Sequence, residues 1–182
     1  ISPDLDTVCY TLAGLANPIT GWGRESESWR TLTEIRKLKG PDWFAMGDLD
    51  LATHLERTRR LRDGSILSEI TEHFCKQWGI PINIFPMSDT PVHTLINCKD
   101  GRRLPFQEYF VKYHFEPEVA AVEFENIENA VVPRKALKAL EGADYVVICP
   151  SNPFVSIDPI IQIKDIHKIL SQKKVIAVSP LI

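Results

Sequence analysis

Two acidic turns stand out in this sequence of 182 residues: Asp4-Leu5-Asp6-Thr7, and Gly47-Asp48-Leu49-Asp50 running into Leu51-Ala52-Thr53-His54. In the first, Asp4, Asp6 and Thr7 put two carboxylates and a hydroxyl in one turn at a helix start. One Asp suffices to cap orphan amides and to complement the positive end of the helix dipole. The second carboxylate makes an oxygen set of the kind Mg²⁺ uses when it takes one or two protein carboxylates and fills its octahedron with substrate phosphates and water. The residues alone admit both capping and metal binding. In the second turn Asp48 or Asp50 is placed to cap its own helix, and His54, at i+4 from Asp50, to pair with it on one helix face.

Two later segments carry polar atoms on stiff backbone. Phe85-Pro86-Met87-Ser88-Asp89-Thr90-Pro91 admits a plain turn, for which one polar residue is enough. It equally admits a grip on a flat heteroaromatic, with Met87 on its face and Ser88, Asp89 and backbone groups on its edge. Pro150-Ser151-Asn152-Pro153 precedes Ser156 and a helix start that can hold an anion, against the plain alternative of a β-to-α connection punctuated by proline. There is no Gly-rich phosphate loop, no H-E-x-x-H, no G-x-S-x-G and no Cys-centred catalytic motif. A nucleotide would therefore find its phosphate cradle in these serines or in sequence outside the chain. Trp22, Trp29, Trp43 and Phe44 read as helix packing, and Arg57, Arg59, Arg60 and Arg62 as a solvated helix face.

The elements that must position these groups follow from periodicity. Leu5, Val8 and Leu12 after Pro3 give a helix stopped by Gly14, and Trp29, Leu32, Ile35 and Leu38 a second, opened by Ser26 or Ser28. Leu51, Leu55, Thr58 and Leu61 form a third apolar stripe, and Leu67, Ile70, Phe74 and Trp78 a fourth that closes at Gly79. From Ile80 the pattern alternates through Ile82 and Ile84, which predicts a strand. A hairpin over Val92–Cys98 and Leu104–Phe106 turns at Asp100-Gly101, and Val119–Phe124 adds a strand. A helix from Pro133 to Gly142 leads to an apolar strand over Asp144–Cys149, a helical stretch around Ile160–Leu170, and a strand over Val175–Val178. Strand, helix, strand makes the last two strands parallel. Ser151-Asn152 and Ser179-Pro180 then share the carboxyl edge, where ligands bind in open α/β sheets.

Composition sets outer bounds. With 44% hydrophobic and 25% charged residues the chain is an ordinary globular protein, and a net charge of −3 supplies no field for nucleic acid. The apolar runs are too short to span a membrane. Four scattered cysteines without metal spacing read as free thiols in a reducing cytoplasm. Ile1 is not an initiator methionine, and Ser179-Pro180-Leu181-Ile182 follows directly on a strand, so an interior piece of a longer protein is expected.

Ser2-Pro3-Asp4-Leu5-Asp6-Thr7-Val8, Gly21-Trp22-Gly23, Gly47-Asp48 with Leu51-Ala52-Thr53-His54, Pro86-Met87-Ser88-Asp89, Phe106-Gln107-Glu108, Glu116-Pro117-Glu118-Val119, Cys149-Pro150-Ser151-Asn152-Pro153 and Val178-Ser179-Pro180 occur in this order. Together they resemble the CofD-type 2-phospho-L-lactate transferases across essentially the whole chain. The resemblance implies an α/β fold: a Rossmann-like parallel sheet core with additional helical segments and a β-hairpin insertion. Residues 1–79 would form the mainly helical active-site segment and residues 80–182 the sheet-rich portion of a single domain. It implies a cytoplasmic, Mg²⁺-dependent homodimer that moves a phospholactyl or phosphoenolpyruvyl group from a guanosine diphosphate conjugate to the deazaflavin Fo, releasing GMP, in coenzyme F(420) biosynthesis. The alternative it leaves is a non-catalytic sugar-nucleotide-binding regulator of the gluconeogenesis-factor type.

Carried across, Asp6 matches the metal-binding and catalytic aspartate, with Asp4 and Thr7 beside it. Asp48 and Met87-Ser88-Asp89 match deazaflavin-side segments, and Ser151, Asn152, Ser156, Ser179 and Pro180 the nucleotide edge. Asp6→Asn is then expected to leave folding intact and to cost turnover. The nucleotide loop and a second acidic metal turn would lie upstream of the chain. Ala45 and Leu49 stand where basic residues are common, Thr90 where a second Asp is, and Asp158 where Gly is usual; the lost cations would weaken donor binding or mark a changed substrate.

Overall fold

The computed structural model describes residues 2–180, so that Ile1, Leu181 and Ile182, on which the expectation of an interior piece partly rests, lie outside the described residues. The chain forms two compact units, one ending at Pro86 and the other starting at Met87.

The first unit is helical: α1 (Pro3–Leu12), α2 (Arg30–Lys37), α3 (Asp48–Arg62) and α4 (Leu67–Gln77). Pro3 sits in the first turn of α1, where its missing N–H costs nothing and its fixed φ suits the helix. Gly14 at φ +67 and Gly79 at φ +68 lead the chain out of α1 and α4 in the left-handed conformation that favours glycine. The expected stripe of α4 is buried through Ile70, Phe74 and Cys75. Cys9, Cys75 and Ile80 form the core, with Leu5, Ala13, Trp78 and Ile84 packed on it. The Cys9 and Cys75 sulfurs lie 3.9 Å apart as free thiols. Burial pushes the Cys9 thiol up to about 12, which keeps it protonated and inert.

Three expectations are corrected here. The predicted stripe of α3 faces outward, with Leu55 63% and Leu61 45% exposed, whereas Thr53 and Arg57 are buried. Burying a polar face is tolerable only where partners satisfy it, and α1 supplies them, as described below. Trp22 and Trp29 are 58% and 45% exposed rather than packed between helices. Finally, residues 80–86 form no strand. Pro81 and Pro86 carry no N–H to donate to a ladder, and no described strand pairs with the segment.

The second unit holds two small sheets. One is antiparallel in the order β2-β1-β3, from β1 (His93–Cys98), β2 (Arg103–Pro105) and β3 (Val119–Glu125). The hairpin turns at Asp100-Gly101 as expected, with Gly101 at φ +89 and the Arg102 amide donating to the Asp100 carboxylate at 3.1 Å. Ile96, Cys98 and Leu104 form its core beneath Phe106, Tyr109, Tyr113 and Val122. After α5 (Arg134–Gly142) come β4 (Tyr145–Ile148), α6 (Asp158–Ile161), α7 (Lys164–Leu170) and β5 (Lys174–Ala177). β4 and β5 pair in parallel from Tyr145↔Lys174 to Ile148↔Ala177, confirming the strand, helix, strand reading. Val132, Ile163 and Ile166 form a third cluster, on which Leu137, Leu140 and Leu170 pack. The chain is thus a mixed α/β protein with a parallel strand pair, a hairpin and a helical segment. Among the described residues no helix is long and apolar enough to cross a membrane.

Candidate functional site

In the first unit Asp6 is neither a cap nor solvated. It is 5% exposed, α1 has no side-chain cap, and both Asp6 oxygens accept from the Arg57 guanidinium of α3: Oδ2 from one terminal nitrogen at 3.0 Å, Oδ1 from the other. The Arg57 that reads as part of a solvated face is 6% exposed. The His54 Nε2 lies 4.0 Å from Asp6 Oδ2 and 3.6 Å from Asp50 Oδ1, and the Tyr10 hydroxyl donates to Asp50 Oδ1 at 2.8 Å. Burial pushes the Asp6 carboxyl up, and the Arg57 fork and charge work against it. Burial also acts on Asp50, but hydrogen bonds from His54 and Tyr10 and the charges of His54 and Arg57 outweigh it and hold Asp50 below its ordinary value. Burial raises the Tyr10 phenol, so it stays a donor. Asp50, His54 and Arg57 recur at i, i+4 and i+7, a polar stripe along α3 that was readable in the sequence once the apolar stripe was set aside.

The neighbouring acidic residue has another task. Asp48 accepts from the Ser28 hydroxyl and from the amides of Arg30 and Thr31, at 3.1 and 3.0 Å, and so caps α2 rather than its own helix. Glu27, which no sequence argument singled out, caps α3 in return through the amides of Leu49 and Asp50 at 2.7 and 2.8 Å. A Cβ on Gly47 would meet the Glu27 carboxylate, so a larger residue there would displace this cap. Neither Ser26 nor Ser28 caps α2 directly. The hydrogen bonds from Ser28 and Thr31 hold the Asp48 carboxyl down at about 2. A depressed carboxyl contributes stability that is present above its unfolded value and lost as pH falls through its folded one. Asp48→Asn is therefore expected to flatten the decline in melting temperature between the ordinary carboxylate value and about pH 2, measured by thermal unfolding across that range.

Asp4 is exposed and Thr7 half-buried on α1. In the second unit Met87 packs on the Val132, Ile163 and Ile166 cluster. Ser88 is 5% exposed; its oxygen accepts from the amides of Thr90 and Val131 at 3.1 and 3.0 Å, and the Asp89 amide donates to the Val131 carbonyl at 2.8 Å. The Thr90 hydroxyl donates to the Asn129 carbonyl. The loop is thereby fastened to the segment before α5. Because β4 and β5 are parallel, Ser151-Asn152 and Ser179-Pro180 leave the same carboxyl edge, and all four are exposed. Asn152 accepts from the amides of Phe154 and Val155 at 3.0 and 3.3 Å, forming the turn that leads to the half-buried Ser156. Asp158 accepts from the Gln162 side chain at 2.7 Å.

The cluster offers a donor set for a divalent cation. Asp6, Asp50 and His54 each offer a ligand atom within 4.8 Å of the others. A carboxylate has about four lone-pair sites. Arg57 takes two on Asp6, and Tyr10 and His54 take two on Asp50, which leaves oxygen lone pairs on both. Two carboxylates fit a hard cation that also binds substrate phosphates, and the residues present fit the metal.

The family model described as 2-phospho-L-lactate transferase CofD matches residues 1–182. A 2-phospho-L-lactate transferase of Methanococcoides burtonii is 42% identical over 100% of this chain and 59% of that protein. A phosphoenolpyruvate transferase of Mycolicibacterium smegmatis is 40% identical over 100% of this chain and 58% of that one. The chain thus spans less than two thirds of these relatives. A crystal structure of a UPF0052-family protein from Bacillus halodurans superposes with a TM-score of 0.59 at 16% identity, covering 94% of this chain and 51% of that one, a likeness of fold.

Proposed function

This chain belongs to the CofD family of 2-phospho-L-lactate transferases, and from that premise we propose that the protein containing it moves a phospholactyl or phosphoenolpyruvyl group from a guanosine diphosphate conjugate to the deazaflavin Fo. The observation that carries the proposal is the match over the chain's full length to relatives bearing both transferase names. Both relatives named above carry transferase names, and neither carries a regulator's.

In the reaction a ribityl hydroxyl oxygen of Fo bonds to the phosphorus of the three-carbon phosphoacid. The bond from that phosphorus to the bridging oxygen breaks, GMP departs with the electron pair, and the hydroxyl proton passes to a base. Such transfers depend on positioning and charge stabilisation, and no covalent nucleophile is required. Asp50, held ionised by Tyr10 and His54, orients the attacking hydroxyl and accepts its proton. Arg57 fixes the Asp6 carboxylate in one orientation. Mg²⁺, held by Asp6 and Asp50, would neutralise charge on the diphosphate. At the β4 and β5 carboxyl edge, Ser151, Asn152 and Ser179 present hydroxyl and amide groups to the nucleotide. The working protein is a cytoplasmic homodimer.

The test is incubation of the full-length protein with Fo, Mg²⁺ and each guanylyl donor, followed by mass spectrometry. GMP together with a phosphodiester-bearing deazaflavin is expected, and no product with any donor overturns the proposal.

A further inference from the structure

Two of the free cysteines meet although 66 residues separate them: Cys9 of α1 and Cys75 of α4, with sulfurs 3.9 Å apart. Both are buried, and Leu5, Ala13, Trp78 and Ile84 close an apolar shell around them. The proposed transfer makes no use of either. Sulfurs at contact distance are already within reach of a bond, whose length is about 2.05 Å. Burial raises both thiols, so the pair is unreactive while the two helices stay packed. The hydrogen bond between them raises Cys9 and lowers Cys75, which makes Cys75 the member that gives up its proton first when the packing opens. The same stretch of α1 carries the polar cluster: Asp6 lies one turn before Cys9, and Tyr10 directly follows it. Their partners Arg57 and Asp50 stand on α3. On α4, the ring of Phe74, beside Cys75, lies 5.9 Å from the Arg57 guanidinium, and Trp78 packs edge-on against the Tyr10 ring at 5.3 Å. Drawing the sulfurs together therefore shifts the two helices that hold Asp6, Tyr10 and Arg57 in place.

We propose that Cys9 and Cys75 form a latent redox switch: a small oxidant of the peroxide class joins them, and the new bond moves Asp6 and Tyr10 against Arg57 and Asp50. The Cys75 sulfur attacks one oxygen of hydrogen peroxide, the O–O bond breaks, and the departing oxygen leaves as water with the Cys75 proton. The Cys9 sulfur then attacks the sulfenic sulfur, the S–O bond breaks, and the hydroxide leaves as a second water with the Cys9 proton. Two thiols and one peroxide thus give one disulfide and two waters, and a dithiol reductant reverses the bond by exchange. The effect on turnover rests on the transferase reading, whereas the bond itself rests on the sulfur contact alone.

The test uses the full-length protein, first reduced and then exposed to hydrogen peroxide. Peptide mapping without reductant should find Cys9 linked to Cys75. The link closes a loop of 66 residues, so the melting temperature should rise by several degrees. Turnover should fall by about tenfold or more, the scale expected when reacting groups are displaced by an ångström, and should return with dithiothreitol. Cys9→Ala and Cys75→Ala should each keep the turnover of the reduced protein and lose the response to peroxide; where one does not fold, the other decides. Cys149→Ser, which removes an exposed thiol, should respond as the wild type does. No link between Cys9 and Cys75 under conditions that oxidise Cys149 overturns the proposal, and so does a linked protein with undiminished turnover. A link and a raised melting temperature in a protein that gives no transfer product with any donor remove the transferase reading and leave the disulfide standing.

Discussion

Asp6→Asn is expected to lower the melting temperature of the full-length protein as well as its turnover. Asn cannot carry the charge that Arg57 faces, and Arg57 is 6% exposed. Removing one partner of a buried pair leaves an uncompensated charge and costs about 3–5 kcal/mol. The midpoint should fall by several degrees. This corrects the expectation, drawn from a capping role, that folding survives the substitution. Asp6→Leu combined with Arg57→Met should regain much of the loss, because replacing a buried pair with apolar groups of similar volume is often neutral. Differential scanning calorimetry on the single and double variants decides the matter. A single variant that melts with the wild type would show that Arg57 finds another partner. Loss of turnover in Asp6→Asn therefore says nothing about the metal until the folded fraction has been measured.

Asp50 is the better probe of chemistry. Asn at this position still accepts from the Tyr10 hydroxyl, so melting should change little, whereas the ionised carboxylate proposed to orient the attacking hydroxyl is gone. Turnover is expected to fall by about 10²–10³-fold, the scale seen when a single preorganised electrostatic group is removed from an active site. The Mg²⁺ concentration for half-maximal rate should rise as well. The measurement is transfer rate against Mg²⁺ for wild type and Asp50→Asn, with calorimetry alongside. Wild-type turnover with unchanged metal dependence would leave Asp50 as an anchor for Tyr10 and His54 only.

What the sequence determined by itself was local. Pro3, Gly14 and Gly79 set helix ends through backbone restriction, and Asp100-Gly101 set the hairpin. Apolar runs flanking a helix made β4 and β5 parallel, and that fixed the edge shared by Ser151 and Ser179. The ordered motifs also identified the family. Tertiary structure decided which polar groups meet. Asp6 and Arg57 are 51 residues apart, Glu27 and Asp48 exchange caps between helices, and Ser88 holds the amide of Val131. Periodicity records where apolar side chains can go, and on α3 it misled, because the buried side is the one carrying Thr53 and Arg57. A polar face can be buried when a distant element brings the opposite charge and the matching donors, and nothing in the local spacing of α3 states that α1 will do so.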